Sequence, residues 1–205
     1  SDGFVGNGFG AFLGADDDVV AVSAPNADEG RGAVYLYQRS DEGAWNEVAR
    51  LTAPGLAEGA QLGVEMGMKD GLLLAATADA DSATGSVHVF RQSGDGWSHA
   101  GEIAAPAGVG FNEGFGRTLA VIDGAPVIAA AGVDEGLGAV WIYPPAGDGW
   151  GEPVRISCLS RARIAGSASR ALSECRTLVQ LWMILIPASF IFGRCSSGFR
   201  PAVST

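Results

Sequence analysis

Acidic side chains recur at corresponding points of a repeated pattern, and these carboxylates are the best candidates for chemistry in the chain. The candidate ligand- or cation-binding set comprises Asp28, Glu29, Asp79, Asp81, Asp134 and Glu135. If equivalent loops emerge on one side of the fold, these acids make that side electronegative and suited to a cation or a basic partner. The alternative is that they begin turns, because Asp bonds readily to its own neighbouring backbone.

The sequence contains few residue patterns with the spacing of metal ligands. The pair Asp79-x-Asp81 supplies at most half of a calcium-loop pattern. The three cysteines, Cys158, Cys175 and Cys195, lack the close pairs of a zinc site. We therefore assign no metal ligands and expect no cofactor, and we leave calcium open as the one ion that the acidic set suggests.

The sequence also contains few groupings of residues that could form a catalytic site. The sequence has two histidines, His88 and His99, and neither recurs beside a Ser or Cys as nucleophilic catalysis requires. Paired carboxylates are frequent, but they fall on predicted turns. We therefore expect no catalytic residues and a chain that is not an enzyme.

The charge of the chain divides it into two parts. The 205 residues carry a formal net charge of −10, and binding to nucleic acid needs clustered Lys and Arg, so nucleic acid is not an expected partner. Up to Ser157 there are 22 acidic and 7 basic residues, whereas Cys158 onward has one acid and six arginines. Such an asymmetry indicates that the two parts should be interpreted separately.

The first part is an internal repeat with a period of 53 residues. The columns that keep this period are Gly10, Gly63 and Gly116, then Gly32, Gly85 and Gly138, then Tyr37, Phe90 and Tyr143. Three copies of one supersecondary unit follow from this spacing, at about 1–54, 55–106 and 107–156.

Each copy is predicted to form four short antiparallel strands. The first strand ends at a turn marked by Asp17, Asp70 or Asp123, and Asp-Gly between apolar residues is a strong signal for a tight hairpin. In the third strand, Val34 and Tyr35 point to opposite faces, so both faces are apolar and must be covered. Four-stranded units that bury both faces are typical of propeller blades. The predicted fold is all-β, a partial β-propeller of three four-stranded antiparallel blades.

Three short motifs recur in order within the repeat. The first is Phe9-Gly10, with Leu62-Gly63 and Phe115-Gly116; the second is Ser23-Ala24-Pro25; the third is Gly-Ala-Val-Tyr at 32–35. In this order and at this period, residues 1–156 resemble the FG-GAP repeats of integrin α-subunit propellers and bacterial surface proteins.

The resemblance implies an extracellular or cell-surface propeller that serves adhesion or binds a protein or glycan on its face. The family's DxDxDG calcium loop has no counterpart here, because the first hairpin turn is too short. Since three blades do not close a ring, we expect a fragment of a larger protein, with further blades or another subunit completing the ring. The alternatives are the non-catalytic propeller portion of a larger secreted enzyme and a structural spacer.

The second part, residues 157–205, departs from the repeat and is predicted to be helical or disordered. Its apolar segment, 178–192, has 15 residues and includes Gln180 and Pro187, whereas a membrane-spanning helix needs about 20 residues. Three interpretations stay open for this tail: out-of-frame translation, a membrane anchor that would add membrane contact, and a helical cap on the repeat array.

Overall fold

A computed structural model describes residues 6–78, 84–94, 96–110, 113–147 and 149–157. These residues all belong to the first of two compact units, Ser1–Cys158. The predictions for the tail lie outside the described residues, apart from Ser157, which ends a strand. Within the described ranges, no helix is long and apolar enough to cross a membrane.

The described fold is all-β and consists of three four-stranded antiparallel sheets, one for each copy of the repeat. The first sheet contains β1 (Leu13–Asp16), β2 (Val19–Ala24), β3 (Ala33–Arg39) and β4 (Trp45–Leu51). The second contains β5 (Met66–Lys69), β6 (Leu72–Thr77), β7 (Ser86–Ser93) and β8 (Gly96–Ala104). The third contains β9 (Thr118–Ile122), β10 (Ala125–Ala130), β11 (Ala139–Ile142) and β14 (Val154–Ser157). In each sheet the strands pair in chain order, and no described sheet closes on itself.

The turn between the first two strands of each sheet is where the sequence predicts it. Asp17, Asp70 and Asp123 have φ of 48°, 51° and 50°, in the left-handed region that Asp tolerates better than most residues. Between such turns, the strands carry Val, Leu and Ala on both faces. Val34 and Tyr35, which point to opposite faces of β3, are both buried, which confirms that the third strand is covered on both sides.

The three sheets pack in series through two apolar clusters. Between the first and second sheets, Val34 and Leu51 share a cluster with Leu62 and Met66. A second cluster joins residues of the second sheet to residues of the third. The first strands of neighbouring sheets also lie side by side, because a Cβ added at Gly67 in β5 would lie 3.0 Å from the backbone of β9.

A glycine contact recurs at both junctions between sheets. Gly32 has φ of +87°, and a Cβ there would overlap the backbone of Leu62, the residue that leads into the second sheet. At the next junction, a Cβ on Gly85 would lie 2.5 Å from the carbonyl oxygen of Phe115. Glycine is therefore needed at both positions for close approach of the chain as well as for its backbone conformation.

The third copy departs from the predicted strand pattern after β11. A two-stranded hairpin, β12 (Pro145–Ala146) and β13 (Gly149–Trp150), precedes β14. The corresponding β7 runs for 8 residues, whereas β11 has 4 and ends before Pro144 and Pro145. Because proline has no backbone N–H to donate to a neighbouring strand, Pro144 and Pro145 do not extend the pairing of β11 with β10 and β14.

Candidate functional site

The acids predicted from the first and third copies lie in two matching turns between the second and third strands of their sheets. These are the four-residue turns α1 (Ala27–Gly30) and α2 (Val133–Gly136). Within α1, Asp28, Glu29 and Gly30 all have positive φ, at 54°, 61° and 80°. Asp134, Glu135 and Gly136 in α2 adopt the same conformation. The repeated DEG sequence thus makes one left-handed turn in each of two sheets.

The carboxylate of Asp28 is engaged by an arginine from the last strand of its own sheet. Arg50 Nη2 donates to Asp28 Oδ2 at 2.7 Å, and Arg50 Nε donates to the hydroxyl of Tyr35 at 3.1 Å. The guanidinium carbon lies 5.5 Å from the centroid of the Tyr35 ring. A cation approaching Asp28 would therefore compete with a guanidinium that is also held by an aromatic ring.

The third sheet contains a corresponding cluster in which a tryptophan takes the place of the tyrosine. Arg155 Nη2 donates to Asp134 Oδ2 at 2.7 Å, and the Arg155 guanidinium lies 5.5 Å from the centroid of the Trp141 ring. The strand register is the cause, because Arg155 pairs with Trp141 as Arg50 pairs with Tyr35. We call these two groups the Asp–Arg–aromatic clusters.

The second sheet has the same register but a different charge. Glu102 pairs with His88 at the corresponding position, and His88 Nδ1 lies 3.1 Å from His99 Nε2. Burial lowers the pKa of His88, so the neutral imidazole is favoured. The predicted acids of this copy, Asp79 and Asp81, lie outside the described residues.

Glu29 belongs to an ion-pair network across the first junction between sheets. Arg31 Nη1 donates to Glu29 Oε2 at 2.7 Å, and Arg31 Nη2 donates to Glu58 Oε1 at 3.1 Å. The hydrogen bond from Arg31 lowers the pKa of Glu29. These side chains are exposed, so solvent screens the ion pairs and the network contributes little to stability.

A separate cleft of about 500 Å³ lies among segments of all three copies. Its main lining residues are Phe12, Glu65, Thr77, Thr84, Phe115 and Arg117. The exposed ring of Phe12 provides apolar surface, and the charged and hydroxyl groups provide hydrogen-bond partners, which is the usual composition of a ligand site. Phe12 and Glu65 come from corresponding positions, 53 residues apart, just before or at the start of the first strands.

No protein-family model matches the chain, and no curated protein matches it. The likeness to FG-GAP repeats therefore stays an interpretation of the repeated residues.

The structure separates the predicted acids from the cleft. None of the four described ones, at positions 28, 29, 134 and 135, lines it. Ala78 and Thr84, which flank the segment that holds Asp79 and Asp81, do line the cleft. Within the part of the chain that the structure describes, no three His, Cys, Asp or Glu side chains are placed to hold one metal ion.

Sequence reasoning missed the arginines and the cleft. Arg50 and Arg155 recur at nearly the repeat spacing, which is the signal that could have paired them with the acidic column. The cleft had no such signal, because its lining residues come from three copies and differ in type.

Proposed function

We propose that this chain is a non-catalytic binding module of the extracellular space or cell surface, built as an open FG-GAP-type β-propeller. Three features support the propeller: one four-stranded sheet for each copy, packing of the sheets in series, and first strands that lie side by side. Propellers are built from four-stranded blades arranged in this way. The FG-GAP resemblance supports the location and the binding role.

The cleft among the three sheets is the observation that carries the proposal. It combines the exposed ring of Phe12 with a carboxylate and a guanidinium in a volume of about 500 Å³. Aromatic faces stack on sugar rings or apolar side chains, and Glu65 and Arg117 offer hydrogen bonds of both kinds. The ligand class is therefore a glycan or a protein segment with an apolar face and polar edges.

The described histidines support a binding role over a catalytic one. His88 and His99 bond to each other and do not line the cleft. The hydroxyl of Ser23 accepts a hydrogen bond from the backbone N–H of Phe12 at 3.0 Å, which gives it a structural task.

Capture on an immobilised oligosaccharide panel and on a random peptide display library tests the proposal. We expect specific capture by the full chain and no chemical change in the captured ligand. Phe12→Ala and Arg117→Ala should each weaken capture about tenfold or more, because each removes a contact from the cleft.

Val48→Ala is the matched control for Phe12→Ala. Val48 is an exposed apolar residue on β4 and does not line the cleft, so its truncation should leave capture unchanged. Equal binding by the wild-type chain and both cleft variants, or turnover of a captured ligand, would overturn the proposal.

Binding is proposed to need no metal. Asp28 and Asp134 each accept a hydrogen bond from an arginine, so calcium would have to displace a guanidinium. The thermal unfolding midpoint should be the same with calcium and with chelator, whereas a rise with calcium would indicate a metal site.

A further inference from the structure

The series of sheets has two end faces. Each end face corresponds to one side of the interface that forms between neighbouring sheets, and the molecule contains two such interfaces. We call the apolar surface of Phe9, Leu13 and Tyr37 on the first sheet the front face. We call the apolar surface of Val140, Ile142 and Ile156 on the third sheet the back face. At the two internal junctions, the corresponding back-face and front-face residues pack against each other.

Front-face residues are exposed where their counterparts are buried. Phe9 is 52% exposed, whereas the corresponding Leu62 and Phe115 are 0% and 3% exposed. Leu13 is 67% exposed, whereas Met66 is 6% exposed. Phe9 already has half of its expected surroundings, because its ring makes an edge contact with Tyr35, as Phe115 does with Trp141. The rest of the Phe9 side chain is exposed.

Back-face residues show the same contrast. Ile156 is 45% exposed, whereas Leu51 and Ile103, at the corresponding positions of the other sheets, are 6% and 8% exposed. Val140 is partly exposed, whereas Val34 is fully buried. An uncovered face of this kind is a site for association.

A groove of about 450 Å³ lies on the back face. At each internal junction, the corresponding place is filled by a residue pair of Leu or Phe followed by Gly. At the first junction, a Cβ on Gly63 would lie 2.7 Å from Ser23 Cβ and 3.4 Å from Val34 Cγ2. The residues at the corresponding positions of the third sheet, Ala129 and Val140, both line the groove. The groove therefore fits an aromatic or leucine residue followed by glycine.

The donor and the acceptor of a backbone hydrogen bond across the first junction both have counterparts at the end faces. Leu62 N donates to Arg31 O at 2.9 Å across the first junction. The corresponding donor on the front face is Phe9 N, and the corresponding acceptor on the back face is Leu137 O. Backbone pairing as well as apolar contact can thus form between the two ends.

We infer that the back-face groove binds the Phe9-Gly10 step of a second copy of this chain, so that copies associate head to tail. The chain holds three such steps, and the other two, at Leu62 and Phe115, fill the internal junctions. The tail offers no equivalent at the repeat spacing, where the sequence has Ala168 and Ser169. This inference depends on the contacts between sheets and not on the ligand of the cleft.

An interface of this kind joins two different surfaces. Each copy then has one free front face and one free back face, so association gives a closed ring or an open series. The molar mass from sedimentation velocity, measured with the full chain over a wide concentration range, should rise with concentration to at least that of two chains.

One substitution on each face tests the orientation. Leu13→Lys places a charge on the front face, and Ile156→Lys places one on the back face; both residues are exposed on edge strands, so each variant should fold. Each variant alone should have a dissociation constant raised about tenfold or more, and should be monomeric at a concentration where the wild-type chain associates. An equimolar mixture should form a one-to-one dimer that does not grow, because it contains one intact front face and one intact back face.

Val48→Lys is the control, because Val48 is exposed on β4 and belongs to neither face; this variant should associate as the wild-type chain does. Near-ultraviolet circular dichroism checks that all variants are folded. A wild-type chain that stays monomeric at every concentration overturns the inference. So do single variants that associate as tightly as the wild-type chain, and so does a mixture that stays monomeric where the wild-type chain associates.

Discussion

The first and third sheets are built alike but are covered differently. Both carry a left-handed DEG turn and an Asp–Arg–aromatic cluster with the same 2.7 Å ion pair. The surface of the first sheet that corresponds to the back face is buried by the second sheet, whereas the back face itself, on the third sheet, is partly exposed. The conformation of the turn and the contacts of the cluster are therefore determined by residues of one repeat, whereas the burial of the sheet surface depends on the neighbouring repeat.

The second sheet shows how far this local control extends. It keeps the strand register that brings the fourth strand beside the third, but Glu102 stands where Arg50 and Arg155 stand. The same backbone thus places a carboxylate, not a guanidinium, beside the ring of His88. Register fixes which positions meet, and residue type fixes the chemistry of the contact.

The largest expected difference between the first and third sheets comes from one glycine column. Gly32→Ala should lower the free energy of unfolding by about 3 kcal/mol or more, because its Cβ overlaps the Leu62 backbone and its φ is positive. Gly138→Ala shares the positive φ but has no atom within 3.5 Å, so it should cost about 1 kcal/mol. Urea unfolding in dilute solution measures both; equal losses would contradict the difference in coverage.

The next difference concerns an apolar residue of the last strand. Leu51→Ala should cost about 2 to 3 kcal/mol, since it leaves a cavity in the first junction. Ile156→Ala should cost less than about 1 kcal/mol in dilute solution, because the side chain is already partly exposed.

Ile103→Ala serves as the internal reference for this pair. Ile103 is buried at the second junction and should behave as Leu51 does. A loss at Ile156 as large as that at Ile103, in chains too dilute to associate, would mean that the back face is covered within one chain.

The Asp–Arg–aromatic clusters should respond equally in the two sheets. Arg50→Ala and Arg155→Ala should each cost about 1 kcal/mol, from a partly exposed ion pair and a cation–π contact. A double-mutant cycle with Asp28→Asn should give a coupling of about 0.5 kcal/mol that falls as salt is added. A coupling that salt leaves unchanged would contradict an electrostatic origin.

The smallest effect is the pH dependence near neutral pH that His88 gives to the second sheet. The pKa of His88 is lowered by burial, so the stability that its neutral form contributes is present above the ordinary pKa of histidine and is lost as the pH falls. The thermal midpoint should therefore decrease between about pH 7 and pH 5.

His88→Tyr should reduce that decrease, because tyrosine, the residue type at the corresponding position 35 of the first sheet, has an ordinary pKa of about 10, well above this range. His99→Gln should retain most of it, since burial of His88 is the leading cause. An unchanged decrease in His88→Tyr would assign the titration to another group.

Much of the fold could be predicted from the sequence, because its signals are local or periodic. The turn at Asp17 depends on its own dihedral preference, and the two apolar faces of β3 follow from alternation. The hairpin after β11 was missed because the period suggested a direct path to Trp150, although Pro144 and Pro145 mark the break.

The candidate site was less predictable, because its contacts join residues distant in sequence. Asp28 and Arg50 are brought together by the pairing of β3 with β4, which contains an irregularity between Leu36 and Tyr37. A one-residue change in that register would turn Arg50 to the other face of the sheet. The acidic column could therefore be found from spacing, but its arginine partners could not.

The left-handed turn at Asp28, Glu29 and Gly30 has a stereochemical consequence. L-residues lose roughly 1 to 2 kcal/mol each in this conformation, whereas their mirror images prefer it. A chain made by chemical ligation with D-Asp at 28 and D-Glu at 29 should relieve backbone strain at this turn. The side chains at positions 28 and 29 would then leave the backbone in a different direction. The backbone conformation of the turn would therefore be kept, while the ion pair between position 28 and Arg50 would change.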